Sequence, residues 1–417
     1  MSKLGETFMA NAVFVAPFLL PATVRFIAAA VSLPDVRLGL ISQDPAERLP
    51  DDLRARLAGH YRVADGTDAQ QIADATRVMA GHLGSVDCLL GMLEQLQVPL
   101  GEVRDALGIP GMGAEVAHNF RDKARMKTVF EAHGVPCAGH RLVHSAPDAR
   151  AAAADLGYPL VAKPPAGAGA RSTFRLDSDA QLESWLLADP PGGMSPVLLE
   201  QMVVGKEHSF DSVLMNGELI WHSISRYLPT PLEVLENPWV QWAVLLPRDI
   251  AGPEFDAIRV DGVRGLRALG LRTGLTHMEW FRRDDGTIAI SEVAARPPGA
   301  QFTSLLSYAH DVDMYAAWAR LEIFDEFSPP ERRYAVGAAY LRGQGSGTVV
   351  AIHGLDVLQR ELGDLVVEAQ LPQAGQPPSG TYEGEGHVIL RHPETSVVEA
   401  GLRRVVEVAR VELGGGS

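Results

Sequence analysis

The chain has 417 residues, 46% of them apolar and 21% charged, with a net charge of −15 and a pI near 5.3. That length exceeds one compact core and implies two to four domains. The acidity excludes a general nucleic-acid or anionic-membrane binder, so a phosphate site has to be local, made of a few lysines, arginines and backbone amides.

Ala12–Leu19 reads as a buried strand, Thr23–Ser32 as a helix and Val36–Ile41 as a second strand. Pro17, Pro21 and Arg25 interrupt the apolar run from Ala12 to Val31, which argues against a membrane span. A single lysine near the N-terminus and no small-residue cleavage pattern argue against a signal peptide, so a cytoplasmic protein is expected. Ala69–Leu83 is predicted helical, Val86–Leu90 a short strand and Leu100–Leu107 helical. Strands alternating with helices imply a parallel sheet covered on its faces. The turn Pro17-Phe18-Leu19-Leu20-Pro21 lacks the glycines that grip a dinucleotide pyrophosphate, so the sheet is Rossmann-like without a nucleotide site. Cys88 and Cys137, with no metal or redox spacing, read as small core residues in a reducing compartment.

Asn119–His133 is predicted as an amphipathic helix closed by Gly134-Val135-Pro136. Strand signals follow at Leu160–Lys163, Arg171–Leu176, Val197–Met202, His208–Met215 and Glu218–Ser225, with a helix near Ser178–Leu187. Asn216-Gly217 marks a two-residue hairpin. Asp256–Leu269 is predicted helical and leads into strands over 275–281 and 287–293, joined by the turn Arg283-Asp284-Asp285-Gly286. From Tyr334 the pattern becomes strand-rich: Ala335–Leu341, Thr348–His353, Leu365–Ala369 and His387–Arg391, then a last helix over Ser396–Leu413. Gly414-Gly415-Gly416-Ser417 reads as a flexible tail, and no internal repeat is evident.

The hairpin carries the densest chemistry. Glu279 and Glu292 lie thirteen positions apart on its two strands, and Arg296 follows four later. Carboxylates on adjacent antiparallel strands can face each other, and paired hard oxygens suit Mg²⁺, which completes its shell with water and phosphate. Arg296 then offers a cationic fork to a neighbouring anion. The competing reading is a solvated strand face that Arg296 merely neutralises.

Upstream, the strand Leu160–Lys163 ends in a lysine and runs into the small-residue loop Pro164–Ala170, whose backbone amides could approach phosphate. It is no Walker A loop, and standing alone it reads as a flexible hairpin loop. Glu200 and Glu207, seven apart around a Gly205-Lys206 turn, could hold a purine amino group and a ribose diol. On these residues alone a strand, a Gly-Lys turn and an exposed glutamate is the favoured reading.

The order of these elements is Lys123, then Lys163 with its loop, then Glu200 and Glu207, then Glu279, Glu292 and Arg296. That succession resembles the ATP-grasp superfamily, and within it the carboxylate–amine ligases that include the L-amino acid ligases. The resemblance implies an α/β chain: a Rossmann-like pre-ATP-grasp domain over 1–114, an ATP-grasp core over 115–325 with a mobile lid at about 155–225, a strand-rich C-terminal domain over 326–413 and a tail over 414–417. Position by position, it gives Lys123 and Lys163 to the nucleotide, with Lys163 on the α/β-phosphates, and Gly167, Ala168, Gly169 and Ala170 to the loop over the β/γ-phosphates. It gives Glu200, Gln201, Met202 and Val203 to adenine, Glu207 to the ribose, and Glu279 and Glu292 to the metal. Arg296 falls beside the transferred phosphoryl group, and His277, two before Glu279, falls either on substrate or in the core. Where the family commonly has an asparagine that helps hold a second metal, this chain has Ala294, and Arg296-Pro297-Pro298-Gly299 replaces the commoner Arg-x-Gly-Gly.

The implied activity joins a carboxylate to an amine through an acyl phosphate, with ATP as substrate and one or two Mg²⁺ ions, replaceable by Mn²⁺. The implied partners are amino acids or a short peptide, with relatives suggesting a homodimer and neither nucleic acid nor membrane expected. No Ser-His-Asp or Cys-His arrangement competes with this chemistry. Three alternatives stay open: a biotin-carboxylase-like or other bicarbonate-activating enzyme, an inactive ATP-binding regulatory module, and a ligase that caps a ribosomal peptide.

Overall fold

The computed structural model describes residues 9–167, 172–193, 195–237 and 240–415. Near the N-terminus, four parallel strands stand in the order Gly59–Arg62, Val36–Ser42, Ala10–Val15, Cys88–Leu90. Ala12 and Phe14 pack into one core while Val13 and Val15 pack into another, so helices cover both faces of this sheet. Pro21–Val31 lies on the first side and Ala69–Leu83 on the second.

A small antiparallel sheet follows in the order His140–Val143, Val197–Gln201, Leu160–Lys163, Phe174–Leu176. The helices Ala146–Leu156 and Asp179–Ala188 close a separate core over it, with Leu160, Ala162, Leu182, Trp185 and Leu199 buried together. The largest sheet has eight strands, ordered Ile288–Ala294, Gly274–Arg282, Lys206–Met215, Glu218–Leu228, Ala243–Leu246, Ala335–Leu341, Gly386–His392, Val366–Gln370. Its pairings are antiparallel, so strands from residues 206–294 and from 335–392 share one ladder. The hairpin bearing Glu279 and Glu292 forms one edge of it.

Two expected elements differ. The predicted helix Asn119–His133 is two helices, Ala114–Arg121 and Lys123–Ala132, separated at Asp122. Asp122 adopts an extended conformation, and its carboxylate accepts from the amides of Ala124 and Arg125, so an N-cap interrupts the periodic pattern. The last helix ends at Val408 instead of Leu413, and Arg410–Gly415 is a strand that pairs with Gly343–Gly345 and Gly347–His353. Val411 is buried against the neighbouring core in this strand, and Gly414 and Gly415, expected as tail, belong to it. Gly416 and Ser417 lie outside the described residues.

Candidate active site

In the edge hairpin, Glu279 is the direct cross-strand partner of Glu292, and His277 is the partner of Ala294. Strand alternation sends Met278 and Trp280 into the core, while His277 and Glu279 line an open cavity. The two carboxylates thus share a face, and Ala294 beside them supplies no side-chain oxygen.

Lys123 opens the helix that Asp122 caps, and its Nζ lies 2.9 Å from Glu292 Oε2. The same lysine's amide donates to Pro165 O at 2.8 Å, and Arg121 Nη1 donates to Gly167 O at 3.0 Å. The start of the small-residue loop is therefore pinned to this helix break. Gly167 lines the cavities, whereas Ala168, Gly169 and Ala170 lie outside the described residues.

Glu200 is buried between two lysines: Lys163 Nζ at 3.0 Å from Oε1 and Lys127 Nζ at 3.5 Å from Oε2. Burial alone would raise the Glu200 carboxyl, but Lys127 and Lys163 hold it below the ordinary carboxylate range. Burial lowers the Lys127 ammonium, while Glu200 and Glu292 raise that of Lys163 against the same burial. Gln201, Met202 and Val203 continue along the wall of this cavity of about 510 Å³. The amides of Gln201 and Met202 already donate to Gly139 and Pro159.

Glu207 is buried on the strand next to the hairpin, in register with Phe281. Burial raises its carboxyl well above the usual range, and the charges of Glu279 and Glu292 raise it further. Glu292 is itself pulled down, since Lys123 and Lys163 outweigh its burial. Among the described residues no group of three or more His, Cys, Asp or Glu forms a metal-ligating cluster. A facing carboxylate pair whose charge penalises a third carboxyl nevertheless fits a divalent cation that draws its other ligands from water and phosphate.

His277 is fixed from behind. Its Nδ1 is 2.6 Å from Oδ1 of the fully buried Asp211, whose other oxygen accepts from Ser209 at 2.9 Å. Its Nε2 is 3.2 Å from Tyr227 Oη and 3.8 Å from Glu279 Oε1. Burial would lower this imidazole, but Asp211 and Glu279 override that and push it up to about 9. Held so, it presents an N–H to the cavity at neutral pH.

Arg296 lines a second cavity, of about 600 Å³. Its Nε lies 2.5 Å from Glu94 Oε2, and Arg121 Nη1 lies 3.6 Å from Glu94 Oε1. The two cavities share Lys123, Pro164, Gly167, Pro231, Glu279, Glu292 and Tyr382, so they meet at the carboxylate pair. Sequence reasoning missed Lys127, Glu94, Asp211, Tyr227 and Tyr382. Lys127 carried a usable signal, since it follows Lys123 by one helical turn and shares its face. Glu94 carried a weaker one, just past the carboxyl end of the parallel strand Cys88–Leu90. The others carried none.

No family model matches the chain. Among curated proteins it is 24% identical over 279 residues to the L-arginine-specific L-amino acid ligase of Bacillus subtilis, covering 65% of this chain and 66% of that protein. The chain thus spans slightly under two thirds of that relative's length. Among solved structures it resembles the L-amino acid ligase from Bacillus licheniformis, with a TM-score of 0.78 at 18% identity over 97% of this chain and 99% of the other. It also resembles the N5-carboxyaminoimidazole ribonucleotide synthetase from Thermotoga maritima, with a TM-score of 0.70 at 17% identity over 97% and 100%. At these identities the structural likeness carries the fold, which is the expected ATP-grasp fold.

Proposed function

We propose that this chain, a member of the ATP-grasp superfamily, is an ADP-forming carboxylate–amine ligase that joins two amino acids. The observation that carries the reading is the junction of two cavities at the Glu279–Glu292 pair. One is lined by Lys163, Glu200 to Val203 and Glu207 and takes ATP; the other is lined by Arg296 and His277 and takes the amino acids.

In the first half-reaction a substrate carboxylate oxygen attacks the γ-phosphorus, the bond to the bridging oxygen breaks, and ADP leaves with that electron pair. In the second, an amine attacks the resulting acyl phosphate and expels phosphate with loss of a proton. Lys163 and Lys123 neutralise phosphate charge, and Glu200 holds Lys163 in place through a buried ion pair. Glu207 is the candidate for the ribose hydroxyls. Arg296, aligned by Glu94, faces the incoming carboxylate, and His277, locked by Asp211, presents an N–H to oxygen in the same space. Bound Mg²⁺, held by Glu279 and Glu292 with Mn²⁺ as substitute, would supply further neutralisation of the triphosphate. Positioning and fixed charge together account for catalysis of this kind.

The reading predicts release of phosphate from ATP when two amino acids are supplied together, with a dipeptide of matching mass. Phosphate release stimulated by bicarbonate alone, or by no amino-acid pair across a full matrix, would contradict it.

A further inference from the structure

The residues common to both cavities form the rim where the two meet. Most of that rim is charged or small: Lys123, Glu279 and Glu292 carry ions, and Gly167 belongs to the loop. Tyr382 is the one aromatic residue on it among the described residues, and it comes from the far end of the chain. It sits on the connection between the strands Val366–Gln370 and Gly386–His392, and that connection is anchored. The buried Glu385 accepts from the Ser379 amide at 2.9 Å, and its own amide donates to Leu341 O at 2.9 Å. The Gly375 amide donates to Val349 O at 2.8 Å, and the Val349 amide donates to Gln376 O at 2.9 Å. The ring has a firm seat as well. It meets Trp242 edge-on at 4.6 Å, and Trp242, only 1% exposed, is itself stacked on Tyr340 at 4.6 Å. A half-buried ring is thus fixed where the γ-phosphate and the incoming carboxylate would meet.

An acyl phosphate formed at this point is open to water as well as to an amine. Water attacking the acyl carbon expels phosphate with the electron pair of the C–O bond, loses a proton to solvent and restores the carboxylate. ATP is then spent without a new bond, and closing a site against water prevents such side reactions. We infer that Tyr382 is a further residue of the reaction site, whose ring closes the rim against water and so couples ATP consumption to formation of the carbon–nitrogen bond. This deepens the ligase reading and rests on it for the nature of the intermediate. The competing role is structural, with the ring only filling space against Trp242.

The test compares the wild type with Tyr382→Ala and Tyr382→Phe, measuring phosphate and dipeptide together for the amino-acid pair that the wild type joins best. The wild type should release phosphate and dipeptide in equal amounts. Tyr382→Ala should release several times more phosphate than dipeptide, whereas Tyr382→Phe, which keeps the ring, should stay close to equal. A purely structural role would lower the thermal midpoint and both products together, leaving their ratio as in the wild type. Equal products in Tyr382→Ala, an excess of phosphate as large in Tyr382→Phe, or loss of all phosphate release in Tyr382→Ala overturns the inference. Should Tyr382→Ala fail to fold, Tyr382→Leu is read in the same way. In a wild type that makes no dipeptide from any pair, the readout becomes ATP hydrolysis with Mg²⁺ alone, where water attacks the γ-phosphorus. A several-fold rise in Tyr382→Ala would then keep the closure and sink the ligase reading, and no rise would sink both.

Discussion

Removing the charge of Glu292 alone is the most direct probe of the site, because the side chain meets Lys123 and faces Glu279 without packing in the core. Glu292→Gln keeps the shape and lowers the negative charge of the pair. Turnover is expected to fall about 10²–10³-fold, roughly 3–4 kcal/mol, as for one electrostatic contact made in the transition state. The thermal midpoint should stay close to that of the wild type. Steady-state phosphate release with a parallel melting curve decides the point, and near-normal turnover would remove the pair from the chemistry. Glu94→Gln makes a different demand. Arg296 would keep its charge but lose its alignment, so kcat with amino acids should drop about tenfold while KM for ATP barely moves. A rise confined to the KM for ATP would show that Arg296 serves the nucleotide instead. That Glu279 and Glu292 sit on adjacent strands of one hairpin was legible, but their direct facing was not: the pairing of Arg282 with Ile288 beside the turn carries Glu279 onto Ser291, and an irregularity between Glu279 and Trp280 shifts it to Glu292. Glu94 was not, because its partner lies 202 residues away and local spacing says nothing of it.

At the scale of an element, the break at Asp122 converts helix capping into site geometry. The cap turns the chain so that Lys123 begins a new helix, close enough to reach both Glu292 and the carbonyl of Gly167. Asp122→Ala should cost about 1 kcal/mol, the usual worth of an N-cap, seen as a lower midpoint in urea. It should also raise KM for ATP, because the lysine and the pinned loop share that cap. A stability loss with unchanged ATP affinity would mean that the helix start does not set the phosphate end of the cavity. The sequence pattern blurred this break because apolar residues recur on both sides of it: Phe120, Met126 and Phe130 enter one core from both helices. Residues 410–415 were hidden because their strand pairs with residues 347–353, far back along the chain, which local spacing does not report. Helices such as Ala69–Leu83 and Asp256–Leu269 were readable to their ends, where Gly84 and Gly270 at positive φ stop them.

Across the whole molecule, the order of strands in the large sheet could not be foreseen, since Ala243–Leu246 pairs with Ala335–Leu341 far along the chain. Groups from separate parts of the chain likewise converge on Glu368, on the sheet's last strand. Its carboxylate receives Arg25 Nη2 at 2.8 Å and Tyr308 Oη at 2.9 Å, and His387 Nε2 lies 3.5 Å away. Arg25 comes from the helix Pro21–Val31 over the parallel sheet, so this ion pair ties the first sheet's layer to the last strand of the largest. His387 first, then Arg25 and Tyr308, hold the Glu368 carboxyl down to about 2 from an ordinary 4.5, against its burial. A folded-state value below the unfolded one adds stability above pH 4.5, and that stability disappears as pH falls from 4.5 through about 2. Arg25 is nearly half exposed, so screening limits the contribution to about 1–2 kcal/mol. Glu368→Gln should therefore melt several degrees lower than the wild type at pH 7, and the gap should narrow steadily as the pH is taken below 4.5. Equal melting at pH 7, or a gap that widens in acid, would show that the layers are held by apolar contacts alone: Phe26 against Trp318 and Tyr315 joins the same helix to Met314–Phe324 without any charge.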